Sequence, residues 1–225
     1  MINLYNKDCM VAMKDMADNQ YDLAIFDPPF NIWNTIKKIP KAKNYLCFTN
    51  FQNRSFVEKL FGKPKFELIW YFKDGRWVSN NMPRITHENI LIYGELKNSA
   101  FTGNINTNKK SVKKGKSCIG KDKNLGNRIY TPKEFKMLNS VLEVPRDVKK
   151  PLGVWSKPLK LVMPLMKWLV NKNDKVFDGY MGSGTFAICC HNLKVNYTGY
   201  EICKNNFKIA KDRVNAHTSQ IQLWT

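Results

Sequence analysis

The chain has 225 residues, of which 43% are hydrophobic and 24% charged, an ordinary globular mixture long enough to bury a sizeable core. That balance excludes a wholly disordered, collagen-like or disulfide-stapled chain, and no stretch approaches the roughly 18 apolar residues of a membrane span. Lys and Arg number 37 against 18 Asp and Glu, and the formal charge of +19 favours a polyanionic partner, nucleic acid above all.

From the N-terminus, short apolar runs alternate with helix-like stretches. Residues 2–5, 22–26, 45–49 and 67–72 predict strands, 9–16 and 55–61 predict helices, and a further strand covers 89–93 after a polar turn. Short strands alternating with helices predict a parallel α/β sheet. The composition then changes. Between Asn98 and Asn127, 22 of 30 residues are Asn, Lys, Gly, Ser or Thr, too polar to build a core of their own. Between Lys109 and Arg128 there are eight basic residues and one acid. That charge suits phosphate contacts, with Lys109, Lys110, Lys113 and Lys114 foremost; the plainer alternative is a solvated loop. After Pro151 the pattern resumes with a helix over 159–170, a strand over 175–177, a glycine-rich turn, a helix over 185–193, a strand over 197–200 and a last helix over 204–215. One domain over 1–225 is expected, with halves at 1–95 and 151–225 split by a basic insertion at 96–150.

Cys9, Cys47, Cys118, Cys189, Cys190 and Cys203 are scattered without a Cys-x-x-Cys pair. They read as reduced thiols of a cytoplasmic protein, with no metal site. The opening residues lack the basic-then-apolar pattern of a signal peptide.

Two turns carry the chemistry. The apolar strand at 22–26 ends in Asp27-Pro28-Pro29-Phe30, at the C-terminal end where α/β sheets hold ligands. Two prolines remove backbone donors, so the turn offers acceptors, the Asp27 carboxylate and the Pro28 carbonyl, beside the ring of Phe30. This suits an exocyclic amine on a base. Such an amine is a poor nucleophile because its lone pair is delocalised, and two acceptors on its N–H bonds favour a pyramidal nitrogen. Phe30 can stack on the base, which is worth ~1–3 kcal/mol. As a bare tetrapeptide, the same residues are simply a rigid turn.

The second turn, Phe177-Asp178-Gly179-Tyr180-Met181-Gly182-Ser183-Gly184-Thr185, ends a strand and opens a helix, so its backbone can approach a ligand closely. Gly179 and Gly184 have the spacing of a phosphate loop, but Thr185 stands where the lysine is needed. A dinucleotide fold wants G-x-G-x-x-G, and the order here is G-x-x-G-x-G. S-adenosylmethionine fits better. Its ribose needs an acid at the end of the next strand, and Glu201 closes Tyr197-Thr198-Gly199-Tyr200-Glu201. Asp27 and Asp178, 151 positions apart, are therefore expected at the C-terminal edges of neighbouring strands.

In this combination the sequence resembles the amino-methylating DNA methyltransferases over nearly its whole length. It looks like their circularly permuted β class, in which the Asp-Pro-Pro-aromatic turn comes first and the cofactor turn last. Lys157-Pro158, Trp70, Arg84 and His87-Glu88 match that class in order. The resemblance implies a Rossmann-like sheet flanked by helices with an inserted target-recognition segment, S-adenosylmethionine as cofactor, double-stranded DNA as partner and a flipped target base. It places Asp8-Cys9 against the cofactor's adenine, assigns Lys157 and Asp178 to the cofactor, and gives Arg84 and His87 to DNA. The family usually has Asp-Pro-Phe in the cofactor turn; Asp178-Gly179-Tyr180 departs from it, and Tyr180 is expected only to pack.

Aspartate at the head of the Pro-Pro turn points by the same resemblance to adenine N6. N4-cytosine methylation is the near alternative, and a non-catalytic DNA-binding module with a decayed methyltransferase fold a farther one. The H-x-E…P-C-x-x-C signature of zinc deaminases is absent. The resemblance leaves room for a homodimer and for a cognate restriction endonuclease, with no membrane partner.

Overall fold

The structure is a computed structural model, and it describes residues 1–14, 16–96, 111–112, 129–130, 138–147 and 156–222. The chain divides into two compact units. One comprises Met1–Asn98 with Asn139–Thr225, the other Ser99–Leu138.

In chain order the first unit contains β1 (Ile2–Tyr5), α1 (Cys9–Ala12), β2 (Tyr21–Phe26), β3 (Ala42–Thr49), α2 (Arg54–Phe61), β4 (Phe66–Arg76) and β5 (Ile85–Tyr93). The second unit contributes β6 (Ser111–Val112) and β7 (Ile129–Tyr130), which pair antiparallel. The first unit resumes with β8 (Val141–Glu143), α3 (Leu159–Leu169), β9 (Lys175–Asp178), α4 (Thr185–Asn192), β10 (Asn196–Tyr200) and α5 (Lys204–Gln222). The three-residue strand β8 falls inside the basic insertion expected at 96–150, yet it pairs with β4 in the sheet of the first unit.

That sheet has eight strands in the order β1-β10-β9-β2-β3-β5-β4-β8. The five strands from β1 to β3 are mutually parallel. The sheet is mostly rather than wholly parallel, because β5 runs antiparallel to both β3 and β4. The cause is local: the segment between β4 and β5 has no room for a crossover helix, so the two strands form a hairpin. The first helix is also shorter than expected, four residues rather than the eight of 9–16.

The parallel strands are buried on both faces, as their near-continuous apolar runs require. Leu23, Ala24, Ile25 and Phe26 of β2 are fully buried, as are Val176 and Phe177 of β9. α4 buries Phe186, Ala187, Ile188, Cys189 and Cys190 in succession, so it lies inside the protein rather than on its surface. Its N-cap, Gly184, has φ +78. That left-handed conformation strains any residue with a Cβ. A Cβ there would also press on Ala210 and Val214 of α5. The geometry of the sheet gathers the C-terminal ends of β1, β10, β9, β2 and β3 at one edge. The N-terminal end of β5 and the C-terminal ends of β4 and β8 arrive at that edge too.

Candidate active site

A cleft of about 1070 Å³ opens along this edge. β2 and β9 are neighbours in register, Ile25 against Asp178, so Asp27 and Asp178 follow adjacent strand ends as expected. The acceptor turn and the cofactor turn therefore flank one cavity.

The acceptor corner is built first by the strand beneath it. Phe26 is fully buried against Trp33 and Tyr180, with ring centroids 5.7 and 5.2 Å away. Pro29 opens a 3-10 turn, Phe30–Thr35, whose first carbonyl accepts a 2.7 Å hydrogen bond from Asn53 Nδ2. Asp27, Pro28, Pro29 and Phe30 all line the cleft. The guanidinium of Arg76 lies 5.7 Å from the Phe30 ring centroid, within cation–π reach. Lys157 Nζ sits 2.9 Å from each oxygen of Asp27 and 3.2 Å from Glu88 Oε2. Desolvation pushes the Asp27 carboxyl up to about 6; Lys157 opposes this and Glu88 adds to it. Burial works against the charge on Lys157, but Asp27 and then Glu88 outweigh it and raise its pKa.

The cofactor turn is held differently, by hydrogen bonds from outside it. Asp178 is fully buried and accepts from the Tyr197 hydroxyl at 2.7 Å and from the Tyr180 N–H at 3.1 Å. Burial raises its carboxyl to about 7. Gly199 permits the Tyr197 bond, since a Cβ at that position would lie 2.6 Å from the Tyr197 ring and 2.9 Å from Met181 Sδ. Glu201 accepts the Gly182 N–H at 3.0 Å on one oxygen and the Cys203 N–H at 2.8 Å on the other. Each oxygen keeps a lone pair for a hydroxyl donor. Arg213, on α5, donates to Ser183 O, Ser183 Oγ and Thr185 Oγ1 at 3.1, 3.0 and 2.8 Å. Asp8 caps α1 by accepting the Met10 N–H at 2.8 Å. Burial pushes the Cys9 thiol up to about 12, which removes it as a nucleophile.

Of the residues expected at the cofactor, Asp8, Cys9, Gly179, Gly182, Ser183, Thr185 and Glu201 line the cleft. Three others are not among the lining residues. Phe177 is a fully buried packing residue against Tyr21 and Tyr200. Asp178 braces the turn from beneath. Gly184 faces α5. Lys157 lines the cleft, but its contacts are with the acceptor corner rather than the cofactor turn. Tyr180, expected only to pack, also lines it.

Arg84 and His87 are exposed and are not among the lining residues. His87 pairs with Tyr71 while its neighbour Glu88 pairs with Trp70, and successive strand residues face opposite ways. Glu88 and Trp70 therefore face the cleft, and Glu88 rather than His87 lines it. Lys109, Lys110, Lys113 and Lys114 lie outside the described residues. The sequence reading missed Arg213 and Tyr197. The spacing of Tyr197 before Glu201 was a usable signal, whereas nothing local marked Arg213.

A mostly parallel α/β sheet flanked by helices carries the Asp27-Pro28-Pro29-Phe30 turn and the glycine-rich strand–turn–helix loop on adjacent strands. Residues 61–212 match the sequence profile of the N6/N4 family described as DNA methylase, and the chain belongs to that family. It is a DNA methyltransferase, and the family's methyl donor is S-adenosylmethionine. The chain is similar to the type II methyltransferase M.HpaI of Haemophilus parainfluenzae, 22% identical over 238 residues that cover 91% of this chain and 71% of that protein. The crystal structure of the M1.HpyAVI–SAM complex shares the fold with a TM-score of 0.59 and 22% identity, covering 95% of this chain and 100% of that one. PvuII DNA methyltransferase, cytosine-N4-specific, shares it with a TM-score of 0.62 and 10% identity, covering 97% and 91%. Among the described residues no helix is long and apolar enough to cross a membrane, and no group of three or more His, Cys, Asp and Glu could hold a metal ion.

Proposed function

We propose that the chain is a site-specific methyltransferase acting on the exocyclic N6 amine of adenine in double-stranded DNA, with the β-class arrangement of acceptor turn first and cofactor turn last. The observation that carries this reading is the Asp27-Pro28-Pro29-Phe30 turn beside the Gly179–Thr185 loop on adjacent strands of one sheet.

The residues present fit the cofactor. Glu201 has a free lone pair on each oxygen for ribose hydroxyls, and the backbone of Gly179 and Gly182 opens on the cleft. Asp8 and Cys9 also line the cleft, with Cys9 close against Gly179. The cleft is slightly larger than the ~300–1,000 Å³ of small-molecule sites, which suits a nucleoside cofactor and a flipped base together. When bound, S-adenosylmethionine supplies an electrophilic methyl group on a sulfonium. Asp27 and the Pro28 carbonyl would hold the two N–H bonds of the acceptor amine while Phe30 stacks on its ring. The amine nitrogen would accept that methyl group, and the cationic amine would then release one proton to water. Asp27 stabilises the positive charge that develops on nitrogen.

Aspartate at the head of the turn, as in the adenine enzymes that the sequence resembles, supports adenine. The lysines at 109, 110, 113 and 114 would contribute phosphate contacts, and the likeness to M.HpaI supports a restriction–modification setting with a cognate endonuclease. The test is to incubate unmodified genomic DNA with labelled cofactor and digest it to nucleosides. N6-methyladenine is the expected product. N4-methylcytosine as sole product would overturn the adenine assignment and spare the rest.

A further inference from the structure

The Lys157 ammonium has three protons and three oxygens around it: both of Asp27 at 2.9 Å and Glu88 Oε2 at 3.2 Å. Its charge therefore faces the acceptor corner rather than the cofactor turn. The long stem is confined as well. Nζ lies 4.8 Å from the Phe48 ring centroid and 5.7 Å from that of Trp70, and the side chain is only 15% exposed. Glu88 is 14% exposed, and its Oε2 has no hydrogen bond among the described residues, so its link to Lys157 is a charge contact. Glu88 reaches this place because Trp70, its register partner on β4, is anchored by a 2.8 Å bond from Nε1 to the Val144 carbonyl.

We propose that Lys157 and Glu88 are positioning residues for methyl transfer: Lys157 clasps both oxygens of Asp27, and Glu88 holds Lys157 in place while supplying a second negative charge beside the acceptor amine. This rests on the reading of Asp27 as the amine's acceptor.

The physics requires both partners. A carboxylate taken out of water alone would hold its proton and lose its capacity to accept from the amine. Lys157 keeps Asp27 ionised, and by straddling its two oxygens it fixes the plane of the carboxylate, leaving the outer lone pairs for the substrate. A lone ammonium–carboxylate pair would be neutral, however, and would do little for a nitrogen that becomes cationic as it is methylated. Two carboxylates around one ammonium leave one net negative charge, at the place where positive charge develops. The other titratable groups near Asp27 do not supply it. Cys47, on β3, is a buried thiol pushed well above its ordinary range, and Asp178, on β9, is engaged by Tyr197 and Tyr180.

The experiment compares the wild type with Glu88→Gln, Glu88→Asp and Lys157→Met, reading kcat, KM and the pH profile of kcat/KM for DNA, and cofactor affinity by calorimetry. Glu88→Gln keeps the size and one acceptor but removes the charge. It should lower kcat about tenfold or more, change KM for cofactor little, and move the acid limb to lower pH, because a negative charge has left the surroundings of Asp27. Glu88→Asp should recover part of kcat and return the limb toward the wild type. Lys157→Met should bind cofactor within about threefold of the wild type and move the limb to higher pH. An unmoved limb in Glu88→Gln would make Glu88 a packing residue and overturn the proposal. So would loss of cofactor binding in a folded Lys157→Met, which would return Lys157 to the cofactor. A wild type that methylates no DNA would sink the functional reading itself, a result distinct from either.

Discussion

Two turns at the same sheet edge are held by opposite means. The cofactor turn is fastened by hydrogen bonds that arrive from α5, from β10 and from the residues just after it: Arg213 on Ser183 and Thr185, Tyr197 on Asp178, Glu201 on Gly182. The acceptor turn is fastened by charge, with Lys157 and Glu88 around Asp27. Hydrogen-bond bracing fixes where a ligand's polar groups will meet the backbone, and it suits a cofactor that must be bound the same way at every turnover. Charge bracing sets a protonation state and a local potential, which suits a site that must stabilise charge only as the reaction proceeds. Damage to the first should appear in cofactor affinity, and damage to the second in kcat and in pH dependence.

The largest effect should follow from Asp27→Ala. Loss of the amine's charged acceptor should lower kcat by about a thousandfold or more, by analogy with removal of a transition-state hydrogen bond at ~10²–10³ together with the charge. Calorimetric titration should find cofactor affinity nearly unchanged, since Asp27 makes no contact with the cofactor turn's bracing. A variant that keeps a tenth of wild-type activity would break the division between the two turns.

Replacing Lys109, Lys110, Lys113 and Lys114 by Gln tests a region apart from either turn. Each neutralised phosphate adds about −0.9 to the slope of log K against log salt, so four lysines carry roughly a hundredfold in affinity over a fourfold change in salt. The slope should flatten, with all DNA sequences weakened alike and cofactor binding untouched. An unchanged slope would return the segment to a solvated loop.

Arg213→Ala strikes the bracing of the cofactor turn from behind. Its three hydrogen bonds hold Ser183 and Thr185, both of which line the cleft. Loss of preorganisation worth about 1–1.5 kcal/mol should weaken cofactor binding about tenfold, with kcat at saturating cofactor changed far less. A loss in kcat alone would contradict the contrast drawn between the turns.

Arg213 also shows where sequence reading stops. The strand ends, Asp27-Pro28-Pro29-Phe30, the glycine turn and Glu201 were legible because each couples a short apolar strand to an unusual turn. Arg213 lies 28 positions after Thr185 on an otherwise ordinary amphipathic helix, and only the packing of α5 on Gly184 brings it to the turn. The burial of Phe177 and Asp178 was hidden for a related reason. A residue at a strand end can face either the ligand or the core, and spacing alone does not say which. His87 and Glu88 are neighbours that alternation sends to opposite faces, and that choice depended on the register of β5 against β4. The direction of β5 was hidden as well, because its apolar run reads the same in either orientation.

The smallest effect, and the sharpest probe of the contrast, lies in pH. The Asp27 carboxyl is raised to about 6, first by desolvation, so it is mostly ionised at neutral pH and about half ionised near 6. The ionised form is the one that accepts from the amine. Activity should therefore rise with pH through this range, and kcat/KM for DNA should fall about twofold between pH 7 and pH 6, then more steeply, approaching about tenfold per unit at lower pH. The same shift has the opposite sign for folding. A carboxyl whose folded pKa stands above its ordinary 3.8 adds stability below that value, and the contribution is lost as pH rises through about 6. The acceptor corner is thus more comfortable protonated and more useful ionised, and Lys157 is the group that narrows the gap. Cofactor affinity should titrate with Asp178, raised by burial to about 7, because that carboxyl and not Asp27 braces the cofactor turn. Calorimetric titration of cofactor across the same pH range, beside the DNA kinetics, separates the two, and the affinity curve should turn at higher pH than the kinetic one. Coincident curves would mean that Asp27 also supports the cofactor turn, and that the two turns work as one device.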